Sequence, residues 1–202
     1  MIAGVYAIVD VTANEEARAL QQLDLLLDNG VRIVQLRAKS LGARRLLALA
    51  RSFRAKCPTL IINDRPDVAV LAGADGVHLG QDDLAIADVR PLLPRGMMVG
   101  VSCHSIADVE QALASGADHL GYGPVFATAT KRDHAPVVGL DGLRAAVERA
   151  GATPVIAIGG IDLTNLASVR DTGASAAAMI GALARDPALA ARTLISLWGV
   201  RT

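Results

Sequence analysis

The groups in this sequence that could do chemistry fall in a few short polar clusters. Gln35-Leu36-Arg37-Ala38-Lys39 spaces an amide and two cations two residues apart, so on extended chain all three project to one side. Asn63-Asp64-Arg65, His78-Leu79-Gly80-Gln81-Asp82-Asp83 and Ser102-Cys103-His104 follow in order, then Thr128-Ala129-Thr130-Lys131, Gly159-Gly160 and Ile180-Gly181. Arg37, Lys39 and Lys131 with the two threonine hydroxyls suit a charge-dense anion such as a diphosphate. The Asp64 and Asp83 carboxylates, joined by phosphate oxygens, suit magnesium, which keeps several of its waters. The glycine-bearing segments offer bare backbone N–H groups to a second anion. Two anion subsites, one metal-assisted, imply transfer of a group between two phosphorylated molecules.

Each cluster also has a plain structural reading. Aspartates near strand ends cap helices or pair with surface cations. Gly-Gly makes a tight turn. His78 lies inside an apolar run and reads as a hydrogen-bonded interior histidine, and His104 as a structural residue or a base. Cys103 reads as packing. Agreement among the clusters therefore depends on the elements that carry them.

Those elements alternate. Apolar runs of strand length occupy 5–9, 31–36, 59–62, 76–79, 97–101, 119–122, 154–158 and 176–180. Helical stretches rich in Ala, Leu and Arg lie near 14–29, 41–56, 66–72, 86–92, 105–115, 140–150, 164–172 and 187–197. Strict alternation predicts a parallel sheet with right-handed crossovers, and unbroken apolar strands predict burial of both faces. Eight equal units with no topological switch predict a compact single-domain (β/α)8 TIM barrel over 1–202, with an open doubly wound sheet as the rival. Gly30, Gly73 and Gly116 recur every 43 residues after helical stretches, a weak repeat of the unit. On this reading every polar cluster follows a strand, at the barrel end where such folds keep their chemistry. The opposite end carries mainly Gly-Ala-Asp turns. The longest irregular stretch is 124–138.

Composition narrows the function further. Twenty basic residues balance twenty acidic ones, hydrophobic residues make up 52% and aromatics 2%. Disorder is excluded by the apolar content, and a general nucleic-acid or anionic-membrane surface by the absent basic excess. No apolar run reaches the length of a membrane span, and Asp10 interrupts the first apolar stretch, against a secretory leader. Two cysteines do not make a disulfide framework, which points to a reducing cytoplasm. The expected partners are small phosphorylated molecules, with neither nucleic acid nor membrane; association into a homo-oligomer is left open.

At these residues the chain resembles the thiamine phosphate synthase family, also called thiamine-phosphate pyrophosphorylase. The similarity runs from Val5-Tyr6-Ala7-Ile8-Val9-Asp10 to Met179-Ile180-Gly181. Its most specific parts are Gln35-x-Arg37-x-Lys39, Ile62-Asn63-Asp64-Arg65, the run from Gly73 to Asp83, Gly100-Val101-Ser102, Gly123-Pro124-Val125-Phe126 with Thr128-x-Thr130-Lys131, and Ala157-Ile158-Gly159-Gly160-Ile161. The resemblance implies a compact barrel that joins hydroxymethylpyrimidine diphosphate to a thiazole phosphate, releasing pyrophosphate. It implies Mg2+ on Asp64 and Asp83. It assigns the pyrimidine diphosphate to Gln35, Arg37, Lys39, Asn63, Ser102 and Lys131, of which Arg37, Lys39, Ser102 and Lys131 are catalytic. The thiazole phosphate falls to Thr128, Thr130, Gly160, Ile180 and Gly181. Two positions depart from the family: Ala38 stands where Glu is frequent, on the side away from the site, and Gly181 where Ser is common, which removes one hydroxyl contact. The rival expectations are a thiazole tautomerase, which uses a histidine in the strand 6 loop, and a non-catalytic phosphate-ligand barrel. Here Pro124 follows Gly121-Tyr122-Gly123, and the loop histidine is His134.

Overall fold

The computed structural model describes residues 2–128, 136–184 and 186–199. Strand and helix alternate throughout: β1 (Gly4–Asp10), α1 (Glu16–Asp28), β2 (Ile33–Arg37), α2 (Ala43–Arg54), β3 (Thr59–Asn63), α3 (Pro66–Ala72), β4 (Gly76–Leu79) and α4 (Ile86–Val89), then β5 (Met98–Cys103), α5 (Ile106–Ala114), β6 (His119–Tyr122), α6 (Gly139–Ala150), β7 (Val155–Ile158), α7 (Leu166–Arg170), β8 (Ala176–Met179) and α8 (Pro187–Gly199). All eight strands pair in parallel in sequence order, and β8 pairs with β1, Gly4 opposite Ala176 through Ala7 opposite Met179. The sheet is a closed barrel, as the alternation predicts.

Period-2 alternation sorts the side chains of each strand into two cores. Along β1, Tyr6 and Ile8 point inward, where they join Ile2, Ile33, Ile61, Ile156, Ala176 and Ala178. Val5, Ala7 and Val9 point outward into the larger layer between sheet and helices. The helices cover that layer with one face each. In α2, Leu46, Leu49, Ala50 and Phe53 are buried at helical spacing, and Arg51 and Arg54 stand in the last turn, favourably placed for the helix dipole. Truncating Phe53, which has no exposed surface, would cost about 3–5 kcal/mol.

Two elements depart from the helical pattern. The stretch 86–92 is a single α turn followed by a 3-10 turn, Arg90–Leu92, because Pro91 has no N–H for the i−4 bond. The seventh helix is shorter than expected, Leu166–Arg170; Asp162, Thr164 and Asn165 bond one another's side chains and backbone and hold the chain in a turn before it.

The Gly-Ala-Asp turns at the N-terminal end of the barrel are staples. Gly73 stops α3 in the left-handed conformation, and Asp75 follows. One carboxylate oxygen of Asp75 accepts from the backbone N–H of Leu60 at 2.7 Å and from Arg54 at 2.7 Å. One unit later Asp118 does the same, accepting from the N–H of Val99 at 2.7 Å and from Arg90 at 2.8 Å. Each aspartate thus ties the start of one strand to the helix that precedes its neighbour. Replacing Asp75 or Asp118 by alanine strands a partly buried N–H and should lower stability by about 1–3 kcal/mol per site. Urea unfolding should show this shift while turnover per folded molecule stays unchanged, since both residues lie at the end remote from the polar clusters.

Candidate active site

The C-terminal ends of the strands surround a cavity of about 420 Å³. Its floor is built by Tyr6, Ile8, Ile156 and Ile158, and its space comes from small residues above them, Gly121, Gly123 and Ala178. Of the residues singled out from sequence, Gln35, Arg37, Asn63, Ser102, Thr128, Gly160, Ile180 and Gly181 line it. His78 and His104 line it too. Thr130 and Lys131 lie outside the described residues.

On β1 and β2, partners preset the polar groups. Asp10 stands opposite Arg37 in the register, and both its carboxylate oxygens lie 2.7 Å from one terminal nitrogen, Nη1. That grip leaves the rest of the guanidinium available, and Arg37 Nε is buried with no partner among the described residues. Gln35 Nε2 donates to the Tyr6 hydroxyl at 3.0 Å, so its carbonyl oxygen remains to accept. Burial drives the Tyr6 phenol upward, against the opposing effect of Gln35, so it stays protonated.

The two aspartates meet on the rim, beside the cavity rather than in its wall. Asp64 directly follows β3 with φ 61°, a left-handed conformation that Asp tolerates better than most residues. Its N–H donates to the carbonyl of His78 at 2.8 Å, which ties β3 to β4 at this point. Lys39 Nζ lies 2.9 Å from Asp64 Oδ2. Asp83 accepts from the Gly80 N–H at 2.7 Å; partial burial and then the adjacent Asp64 carboxylate raise its pKa. Facing carboxylates with one lysine against them call for cationic charge. No cluster of three or more His, Cys, Asp or Glu able to hold a metal occurs among the described residues. Two carboxylates are nonetheless the donor set that Mg2+ uses when water and substrate phosphate complete its octahedron, so these residues fit that ion rather than a metal needing a full protein cage.

Across the cavity the chain presents backbone. Gly159 and Gly160 have φ 100° and 64°. The loop after β6 packs onto them: Val125 N–H donates to Ile158 O at 2.9 Å and Phe126 N–H to Gly159 O at 3.0 Å. A Cβ at Gly160 would sit 2.8 Å from Phe126 Cβ. The glycine pair is therefore a tight turn and a cavity wall at once. Gly181 opens a 3-10 turn, Gly181–Leu183, whose leading N–H groups have no acceptor within the turn itself.

Ser102 Oγ lies 3.0 Å from His78 Nε2, and Gln81 Nε2 donates to the Ser102 carbonyl. His104 Nδ1 donates to the Gly123 carbonyl, and its backbone N–H donates to Asp108, part of the capping box that starts α5. Cys103 faces the outer core and burial pushes its thiol up to about 12, in keeping with packing. Tyr6, Asp10 and His119 escaped the sequence reading. For Tyr6 and Asp10 a signal was present, because Tyr6-x-Ile8-x-Asp10 has the same period as Gln35-x-Arg37 on the next strand. His119 carried none beyond its type.

The fold and site define a (β/α)8 barrel that gathers acids, cations and bare amides around one cavity, the equipment of an enzyme acting on phosphorylated small molecules. Comparison with known proteins is specific. The chain belongs to the thiamine monophosphate synthase family, whose family model matches residues 5–183. It is 42% identical over 195 residues to the thiamine-phosphate synthase of Methanospirillum hungatei JF-1, covering 95% of this chain and 94% of that one. It is 40% identical over 202 residues to that of Chloroflexus aurantiacus, covering 96% and 92%. The solved thiamine phosphate pyrophosphorylase from Pyrococcus furiosus superposes with a TM-score of 0.87 at 31% identity, covering 97% of this chain and 95% of that one.

His119 gives the site's surroundings an acid sensitivity. Its side chain is fully buried, and burial lowers its pKa from the ordinary 6.5 to about 4, with Asp118 opposing. Below pH 6.5 the unfolded chain takes up a proton that the folded barrel refuses. Stability is therefore intact above that pH and falls as the pH drops toward 4. Between pH 8 and pH 5 this residue should remove about 2 kcal/mol. Urea midpoints measured across that range should fall more steeply for the parent chain than for His119→Phe by that amount.

Proposed function

We propose that this cavity joins 4-amino-2-methyl-5-hydroxymethylpyrimidine diphosphate to a thiazole phosphate, giving thiamine phosphate and pyrophosphate. The observation that carries the reading is the meeting of Asp64, Asp83 and Lys39 on the rim next to Gln35, Arg37, Asn63 and Ser102, with a backbone wall of Gly160, Ile180 and Gly181 opposite. One side is built for a charged diphosphate, the other for a second phosphate.

In this reading Asp64 and Asp83 would hold Mg2+, and the ion would supply positive charge against the departing pyrophosphate. Arg37, steadied on Nη1 by Asp10, offers its buried Nε to the diphosphate. Lys39 and Lys131 add charge on the same side, the largest kind of contribution in such sites. Asn63 and Ser102 hold the pyrimidine, and Gln35 Oε1 accepts from its amino group. Thr128, Thr130 and the backbone at Gly160, Ile180 and Gly181 hold the thiazole phosphate. The bond to the diphosphate oxygen breaks with its electron pair leaving on oxygen; the pyrimidine ring supports the resulting methylene cation, and the thiazole nitrogen lone pair forms the new bond. The chain's task is positioning and charge stabilisation. No described helix is long and apolar enough to cross a membrane. Both cysteines are free buried thiols, a state that a reducing cytoplasm maintains.

The purified chain with both substrates and Mg2+ should release pyrophosphate and thiamine phosphate in equal amounts, and excess EDTA should abolish both. Saturable binding without product would favour a phosphate-ligand barrel, and thiazole isomerisation without pyrophosphate a tautomerase. For the metal pair, Asn is the informative replacement at Asp64, because it tolerates the left-handed backbone while removing the charge. Asp64→Asn, Asp83→Asn and Lys131→Ala should each lower turnover about a hundredfold or more with unfolding midpoints near the parent's. Near-normal turnover in all three would remove these roles.

A further inference from the structure

One buried polar group in the barrel interior takes no part in the reading above. His119 on β6 has no exposed surface, and its Nδ1 has no partner among the described residues. Its Nε2 lies 3.4 Å from His78 Nδ1 on β4, with the rings 5.5 Å apart at 30°. His78 Nε2 in turn lies 3.0 Å from Ser102 Oγ, which faces the cavity. Three side chains thus connect the closed interior to the substrate space.

The strand register explains how two histidines two strands apart can meet. His78 pairs with Gly100 on β5, and Gly100 pairs with His119. A Cβ at Gly100 would collide with the His119 ring, and one at Gly121 would lie 3.0 Å from His78 Cε1. The missing side chains open the slot that the imidazoles fill.

The direction of this chain follows from the orphaned nitrogen. A buried imidazole is neutral and carries one N–H. On Nδ1 that proton would be a buried donor with no acceptor, a costly and rare state; a bare acceptor nitrogen is better tolerated. On Nε2 the proton faces His78 Nδ1. His78 then accepts at Nδ1, carries its own proton on Nε2 and donates to Ser102 Oγ. The Ser102 hydroxyl proton is left to point away from His78.

We propose that His119 is a positioning residue: by donating to His78 Nδ1 it fixes the His78 tautomer and makes Ser102 a hydrogen-bond donor toward the pyrimidine substrate. The group opposite Ser102 must then be an acceptor, a ring nitrogen or a phosphate oxygen, and not an amino group. The substrate's identity rests on the function proposed above; the direction of the chain does not.

Long-range proton–nitrogen NMR on protein labelled with 15N-histidine tests the direction without substrate, the signals being assigned with single-histidine variants. His78 and His119 should both show a protonated Nε2 and a bare Nδ1 at neutral pH. A His78 protonated on Nδ1 overturns the proposal whether or not the chain is active, so this failure is distinct from failure of the functional reading. In His119→Phe the His78 tautomer should become mixed. KM for the pyrimidine diphosphate should then rise about tenfold with kcat little changed, the loss of one oriented bond. His119→Gln, whose amide nitrogen falls near the position of Nε2, should restore both. Loss of stability in folded His119→Phe with KM and His78 signals unchanged would mean that His119 is only packing, and would overturn the proposal.

Discussion

Pairing of β8 with β1 is the constraint on which the rest depends. It brings Gly4 to Ala177's neighbour Ala176 and Ala7 to Met179, and with those bonds the eight strand ends share one rim. Residues as far apart as Tyr6 and Gly181 then border the same few hundred cubic ångströms. The pleat does the rest of the sorting. Odd and even positions divide between the helix-facing layer and the interior, so a polar side chain on the inner set has nowhere to go but the barrel axis or its mouth. Bulky inner residues such as Tyr6 and Ile61 fill the lower layers. Glycine and alanine on β6 and β8 leave the upper layer open, which is why the cavity lies there.

Among the described residues, Arg37 and Lys39 at this rim are both paired. Arg37 is held by Asp10, and Lys39 by Asp64. These pairs set the orientation of the cations rather than contributing much stability, since Lys39 is 60% exposed and such rim pairs are worth little in water. The two pairs are unlike in consequence. Asp10 faces Arg37 across adjacent strands and grips a single guanidinium nitrogen, so an anion can bind the remaining donors without breaking the pair. Asp64 faces both Lys39 and Asp83, so among the described residues two carboxylates share one ammonium group. The first arrangement is a preset donor; the second is a charge imbalance of the sign a divalent cation corrects.

How much of this was legible in the residues follows from the kind of signal each left. Strands were legible because both faces are buried, which makes them unbroken apolar runs; all eight lie within two residues of the expected bounds at each end, and the larger offsets fall at the start of β2 and at the end of β5, which Ser102-Cys103 extends. The spacing of Gln35 and Arg37 was legible because period 2 is rigid. Asp10 was harder, since its period with Tyr6 matches that of Gln35 and Arg37 but its role as the partner of Arg37 needs the register of the neighbouring strand. His119 was out of reach. Its significance comes from the empty position at Gly100 between it and His78, a relation among three strands that no local pattern records. The 3-10 turn after α4 was readable in principle, from Pro91 alone.

The acid–base character of the cavity suits a transfer in which no proton moves at the reacting carbon. Burial keeps the Tyr6 phenol protonated and the Cys103 thiol unreactive, the latter pointing into the outer core. His119 is neutral and enclosed. The Ser102 hydroxyl lies against His78 Nε2, and the His119 imidazole lies against His78 Nδ1. A serine nucleophile wants a base that can accept its proton and then be stabilised as a cation, usually by an acid behind it. The His119 imidazole behind His78 is neutral and supplies no such charge. The same three residues make a sound hydrogen-bond chain. That is the character required when the leaving group departs as an anion and the incoming nitrogen brings its own electron pair.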